Sequence, residues 1–147
     1  MKDENAVAPV APRLWNPGAA FWWSLLFGPL FGIVLHWKNW TALRQPTLAG
    51  DSRRWFWIML LILLVLGALN VADVLPHTGA TLDVVLLVSW YRYSGRAQCR
   101  HVAEAYGQDY PRRSLGLPLV LASACMLTVM GLLILITYMA PQGAELA

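Results

Sequence analysis

The hydrophobic pattern of this chain consists of long apolar stretches separated by short polar segments. Four stretches hold at most one Asp, Glu, Lys or Arg: residues 14–37, 55–72, 74–91 (which includes Asp83) and 114–144. About 20 apolar residues in a helix cross the hydrocarbon layer of a bilayer. The pattern therefore predicts one hydrophobic helix in each stretch, over residues 19–37, 55–72, 80–93 and 117–139.

The second and fourth stretches have the simplest pattern, with the cores WFWIMLLILLVLGAL and LPLVLASACMLTVMGLLILI. Neither shows the polar stripe of a soluble helix, so we expect both to cross a bilayer. The third stretch is shorter, and Pro76 and Gly79 interrupt its start. We expect a tight turn over residues 74–79, followed by a helix that begins near Ala80 and continues to about Tyr106.

Gly28 and Pro29 lie at the centre of the first stretch, AAFWWSLLFGPLFGIVLHW. Proline removes one helical hydrogen bond and clashes with the preceding turn, so it kinks or breaks a helix. Two structures satisfy this constraint: a kinked span, or a re-entrant pair of helices whose break is buried against neighbouring helices. Both place a helix kink or break at Gly28 and Pro29.

These elements predict an all-α fold, a polytopic membrane helix bundle with four hydrophobic segments. We expect a single membrane domain over residues 1–147, with a flexible N-terminal tail over residues 1–18. Residues 91–116 form a basic segment that we place in the cytoplasm.

Composition strengthens the membrane interpretation. The 147 residues are 58% hydrophobic and 13% charged, and they include 8 Trp. Soluble globular domains carry about 25% charged residues. The composition excludes a disordered chain and argues against a soluble enzyme.

The basic residues predict the orientation, because Lys and Arg concentrate in short cytoplasmic loops. Nine of them lie in two segments: Lys38, Arg44, Arg53, Arg54, Arg92, Arg96, Arg100, Arg112 and Arg113. Residues 74–80 and 141–147 contain none. We therefore expect the loops 38–54 and 92–116 in the cytoplasm and the C-terminus outside. The N-terminus lies outside if the first segment spans and inside if it is re-entrant.

Arg92, Arg96 and Arg100 recur every four residues and form one stripe on a helix. They border a weakly apolar face over residues 91–106, with Gln98 on the opposite, polar side. We expect this helix to lie at the membrane surface with its guanidinium groups on anionic lipid headgroups. The alternatives are ordinary positive-inside residues on an exposed loop, or a docking site for a partner protein. We expect no nucleic-acid binding, because these arginines adjoin the membrane.

Asp83 is an ionisable residue inside an apolar stretch, which is by default a candidate functional site. With Asp73 and Asn70 it forms a candidate ion or proton site. Alternatively, Asp83 stabilises the start of its helix, with Thr81 or Thr78 as the N-cap. His36, at the inner end of the first segment, is too far away to pair with Asp83.

No other pattern indicates chemistry. The spacing of Cys and His predicts no metal site, and we find no nucleophile with a base on one side of the membrane and no phosphate-binding glycine loop. We therefore expect no cofactor and no enzymatic activity. Small residues such as Gly67 and Ala68 allow close helix contacts, either within the bundle or in a homo-oligomer.

Two segments, FWWSLLFGPLFGIVLHWKNWTALR and WYRYSGRAQCRHVAEAYGQDYPRRSLGLPL, resemble those of small bacterial inner-membrane proteins with an aromatic-rich first segment around FGP. The resemblance implies a bacterial inner-membrane location and no particular activity. We expect an accessory, regulatory or structural subunit that acts through partners and contacts membrane lipids. The alternative is a small channel, transporter or membrane-permeabilising protein that uses Asp83.

Overall fold

The computed structural model describes residues 11–72, 74 and 79–139. Over these residues the fold is helical and contains no β-strand. The helices are α1 (Pro17–Phe27), α2 (Pro29–Ala42), α3 (Pro46–Val71), α4 (Gly79–Trp90), α5 (Arg96–Tyr106) and α6 (Gly116–Met139). A π-helical turn, Tyr91–Gly95, joins α4 to α5. The chain forms two compact units, residues 1–113 and 114–147.

The first hydrophobic segment is a helical hairpin. The chain reverses at Gly28, whose φ of 80° and ψ of 167° end α1 and begin α2. Contacts then pair residues on either side of the reversal: a Cβ on Gly32 would clash with Ser24 Oγ, and His36 contacts the carbonyl of Pro17. The single helix predicted over residues 19–37 is therefore wrong.

The two helices of this hairpin are 11 and 14 residues long. At 1.5 Å per residue they extend about 16 and 21 Å, which is too short to cross a hydrocarbon layer of about 30 Å. Both ends of the hairpin lie on one face of the unit. The first segment is therefore a pair of short helices and not one kinked helix.

The main hydrophobic core joins α2, α3 and α4. Ile33, Met59, Leu87 and Trp90 are buried together, and partly buried residues of α1 and the π-helical turn pack around them. Trp90 is the largest fully buried side chain among the described residues. Gly32 lets α2 approach it, since a Cβ there would lie 3.0 Å from the Trp90 ring. The core therefore depends on a glycine and a tryptophan from different helices.

Residues 11–16 of the N-terminal segment pack against the rest of their unit. Leu14 is fully buried with Val102 and Tyr110 in a second core. It also pairs with the segment after α5, because Leu14 N donates to the carbonyl of Pro111 and Arg113 N donates to the carbonyl of Leu14. The predicted flexible tail over residues 1–18 is therefore wrong for residues 11–18. Residues 1–10 lie outside the described residues.

Two described helices are long and apolar enough to cross a membrane, Pro46–Val71 and Gly116–Ile136. The helix predicted over residues 117–139 corresponds closely to α6. α3 begins nine residues before the predicted start at Trp55, because Pro46 supplies a favourable first helical residue. The helix predicted over residues 80–93 corresponds to α4, which runs from Gly79 to Trp90 and continues through the π-helical turn into α5. The four-span bundle is not confirmed.

We predict that Gly28→Ala destabilises the protein by about 1–3 kcal/mol, because its backbone conformation is almost restricted to glycine. Thermal unfolding in mild detergent measures the change. Gly50→Ala in α3 is the control: a Cβ there meets no heavy atom within 4 Å, and alanine favours a helix. A stabilising effect of Gly28→Ala would contradict the reversal, because alanine stabilises a continuous helix.

Candidate functional site

Three polar side chains lie fully buried where the ends of the hairpin meet α5. They are His36 and Asn39 of α2 and Gln98 of α5, each at most 1% exposed. We call His36, Asn39 and Gln98 the polar hub. Polar groups without hydrogen bonds are costly in an interior, so the partners of these three side chains decide what the site does.

Asn39 is the centre of the polar hub. Its Oδ1 accepts a hydrogen bond from Trp15 N (3.0 Å), and its Nδ2 donates to the carbonyl of Trp15 (2.8 Å). The amide thus binds one residue of the N-terminal segment at two points, as a neighbouring strand would. Nδ2 also donates to Gln98 Oε1 at 3.2 Å.

Gln98 completes the connection between α5 and α2. Its Nε2 donates to the carbonyl of His36 at 2.9 Å, while its Oε1 accepts from Asn39. Every polar atom of the Asn39 and Gln98 amide groups therefore has a partner. Such satisfied networks fix one arrangement of the surrounding elements.

The His36 imidazole lies beneath the turn that starts α1. Its Nε2 is 3.2 Å from the carbonyl of Pro17, and since a carbonyl only accepts, Nε2 carries the proton. The edge of the ring faces Trp90, with the ring centroids 5.0 Å apart. Burial lowers the pKa of His36 to about 4, and the hydrogen bond to Pro17 offsets part of that effect. The imidazole is neutral at physiological pH.

Aromatic side chains surround the polar hub. Trp40 is buried and packs against His101 with ring centroids 5.2 Å apart. The Arg113 guanidinium lies 4.7 Å from the centroid of the Trp15 ring, a cation–π distance. These contacts bring the N-terminal segment, α2 and residues 96–113 to one face.

The predicted lipid-contacting arginines, Arg92, Arg96 and Arg100, are all exposed. Arg100 lies 3.6 Å from Glu104, in a surface ion pair that contributes little to stability. Their contact with lipid headgroups stays a prediction. The placement of Gln98 opposite the apolar face of this helix is wrong, because Gln98 is fully buried beside Val102. It belongs to the buried face because the polar hub satisfies its amide.

The candidate ion site is only partly described. Asp83 is half-buried in α4, Asn70 lies exposed near the end of α3, and Asp73 lies outside the described residues. α4 begins at Gly79, which makes Asp83 its fifth residue, and its first turn contains no acidic residue. Thr81 lies inside α4 and is not its N-cap, and Thr78, the other predicted N-cap, lies outside the described residues. The helix dipole acts mainly within the first turn, which Asp83 follows, and the helix-start explanation of Asp83 stays a prediction.

The described residues offer little reactive chemistry. They contain no group of three or more His, Cys, Asp or Glu side chains placed to hold a metal ion. Cys99 is half-buried 3.9 Å from the Tyr91 hydroxyl, and burial raises the pKa of its thiol. A thiol with a raised pKa is a weak nucleophile at neutral pH. The hydrogen bonds of the polar hub join the N-terminal segment, α2 and α5.

Sequence reasoning missed Asn39, Gln98 and Leu14 as determinants of this site. One sequence signal indicated that Gln98 is buried. It lies four residues before Val102 and three after Gly95, so all three share a helix face. Leu14 is the sole large aliphatic residue between Pro12 and Pro17. The partner of Asn39 is the backbone of Trp15, which no side-chain pattern indicates.

The chain was also compared with protein-family models, curated proteins and solved structures, and none of the three comparisons finds a match.

We predict that Gln98→Leu destabilises the fold by roughly 1–3 kcal/mol, because it leaves buried polar groups of α2 without their partner. Gln45→Leu is the matched control, since Gln45 is exposed and its side chain makes no capping hydrogen bond with α3. Thermal unfolding of both variants in the same detergent provides the comparison. Equal stability of the two variants would show that the polar hub does not hold the fold.

We also predict that stability falls as the pH decreases from about 6.5 to about 4. The unfolded chain protonates its histidine near pH 6.5, whereas folded His36 stays neutral until about pH 4. The contribution of His36 is fully present above pH 6.5, and a lowering of this size corresponds to roughly 3 kcal/mol. Unfolding curves across this range measure it. His36→Gln keeps an N–H donor without titrating, and an equally steep pH dependence in that variant would contradict the assignment.

Proposed function

We propose that this chain is a small multi-pass protein of the bacterial inner membrane that acts as an accessory, regulatory or structural subunit. It works through a partner in the membrane and performs no catalysis itself. The bacterial location rests on the resemblance of its first segment and its basic segment to small inner-membrane proteins. The two candidate spans, α3 and α6, support insertion into a membrane.

The observation that carries the proposal is the exposed C-terminal half of α3, residues 60–71, which we call its outer half. Met59 is the last buried residue of this helix. Beyond it, Leu61 and Leu64 are more than 60% exposed and Val71 is 71% exposed. Exposing this apolar surface to water would cost about 25 cal/mol per Å². Lipid chains or apolar helices of another protein are its compatible surroundings.

The positions of the basic residues support the predicted orientation, with residues 38–54 and 92–116 in the cytoplasm. The polar hub brings the N-terminal segment, the end of α2 and residues 96–113 to one face, and α3 begins a short turn after α2. Most Lys and Arg residues lie in these segments and at the start of α3. The positive-inside rule assigns such a face to the cytoplasm. The re-entrant hairpin then enters from the cytoplasm and returns to it, and the N-terminus lies inside.

The exposed half of α3 also suits close contact with another helix. Gly67 and Ala68 are exposed there, and a Cβ on Gly67 would meet no heavy atom within 4 Å. Small residues let helix backbones approach closely in a bilayer, where dispersion contacts drive association. A partner helix, from another protein or from a second copy of this chain, is the occupant we propose.

A photoactivatable amino acid at position 64 tests the proposal in native membranes. We predict one discrete protein adduct from Leu64, which is exposed in the outer half of α3, and none from the same amino acid at Met59, which is 1% exposed. An adduct of twice the mass of the chain would identify a homo-oligomer. Lipid adducts alone at position 64 would contradict the accessory function.

The second candidate is a small channel or transporter, and it rests on Asp83. This carboxyl is half-buried in an apolar helix and lies beyond the first helical turn. Ionisable groups in such positions commonly mark ion or proton paths. Ion flux through the purified protein in liposomes that Asp83→Asn abolishes would favour this candidate over the accessory subunit.

A further inference from the structure

A cleft opens where α2 turns into α3, on the basic face of the protein. Its volume is about 300 Å³, which is large enough for a small polar group and part of an apolar chain. Its lining combines aromatic, hydroxyl, amide and guanidinium groups, from Trp37, Thr41, Arg44, Gln45, Ala49 and Arg53. Buried Ala49 is a small side chain that leaves the space between the helices open.

The cleft is positively charged. Arg44 and Arg53 line it, and no acidic residue is among its lining residues. The nearest acidic residue in sequence, Asp51, is paired with Arg54 at 3.3 Å. Within the part of the chain that the structure describes, neither Arg44 nor Arg53 forms an ion pair with a carboxylate. Two guanidinium groups at one cleft match an anion that offers several oxygens, such as a phosphate.

The backbone holds Arg44 in an unfavourable conformation. Its φ of 56° is the sole positive value at a non-glycine residue among the described residues. Side chains other than glycine rarely adopt this region, and residues held there cluster at ligand-binding sites. A glycine would adopt this turn conformation at lower cost, so the turn alone does not explain an arginine at this position. We ascribe the arginine to its guanidinium group.

The apolar side of the cleft leads toward the hydrophobic part of the protein. Trp37 lines the cleft, and its ring centroid lies 6.4 Å from that of Phe56 on α3. Tryptophan favours the headgroup level of a membrane, where one part of the ring is apolar and the other is wet. A ligand with a charged head and an apolar tail matches this succession of arginine, tryptophan and phenylalanine.

We propose that the cleft binds the phosphate of an anionic phospholipid from the cytoplasmic leaflet. Arg44 and Arg53 bind the phosphate oxygens, and an acyl chain lies along Trp37 toward Phe56. The inference rests on the proposed membrane function, because it places the basic face at the cytoplasmic headgroups. It differs from the contact predicted for Arg92, Arg96 and Arg100, which involves an exposed helix without a cleft.

Native mass spectrometry of the full chain, purified in a neutral detergent and supplied with phosphatidylglycerol or phosphatidylcholine, tests the proposal. We expect the wild type to retain one phosphatidylglycerol in preference to phosphatidylcholine. Losing a charge-assisted hydrogen bond weakens binding roughly tenfold or more. The double variant Arg44→Gln and Arg53→Gln should therefore lose this retention. Full retention by the double variant would overturn the proposal.

Two further variants separate specific binding from folding and from net charge. Arg44→Gly removes one guanidinium and relieves the unfavourable φ, so we expect weaker lipid retention together with an unchanged or higher melting temperature. Arg13→Gln with Lys38→Gln removes two exposed charges that neither line the cleft nor belong to the predicted arginine stripe, and it should leave retention unchanged. Equal loss in this control would show that binding follows net charge, which would overturn the cleft site.

Inorganic phosphate in large excess distinguishes the two sources of the anion. If it displaces phosphatidylglycerol completely, the cleft is a site for free phosphate and the lipid assignment is overturned. If phosphatidylglycerol stays bound in excess phosphate, the assignment of the cleft to a phospholipid is supported. The adduct from position 64 on α3 is measured independently, so a failed lipid site leaves the test of the accessory function intact.

Discussion

The side-chain amide of Asn39 joins three parts of the chain that are far apart in sequence. It binds both backbone groups of Trp15 and the side chain of Gln98, and Gln98 in turn binds the carbonyl of His36. The side chains of Asn39 and Gln98 are fully buried, and in such surroundings a hydrogen bond is strong and an unpaired polar group is costly. The N-terminal segment, α2 and α5 therefore have little freedom to move apart.

The reversal at Gly28 makes this network possible. It returns the chain to the face from which it came, so that the start of α1 and the end of α2 lie side by side. A continuous helix would have placed the two ends at opposite faces, with Asn39 far from Trp15. The polar and basic residues consequently gather on one face, while the apolar surfaces of α3 remain exposed elsewhere. This separation of surfaces is the basis for both proposals, the membrane partner and the lipid cleft.

The predictability of the fold differed between segments for physical reasons. α6 could be predicted almost to the residue, because an uninterrupted apolar run bounded by polar segments allows few alternatives. The first segment could not, because Gly28 and Pro29 permit both a kink and a reversal, and the reversal involves contacts between distant residues, such as that of His36 with Pro17. Gln98 was assigned to the wrong side, since a polar residue is expected in water unless its partners are known. Most residues of the candidate site could therefore not be predicted from the sequence.

The amino-acid sequence by itself determined the helical class, the two strongest apolar helices and the uneven distribution of basic residues. These properties are local, because each depends on composition and spacing within about 20 neighbouring residues. Tertiary structure alone decided the hairpin, the packing of residues 11–16 and the polar hub. Each of these depends on hydrogen bonds between distant residues, such as the 59 positions that separate Asn39 from Gln98. No local pattern encodes such a contact, because its stability comes from the burial that the whole fold provides.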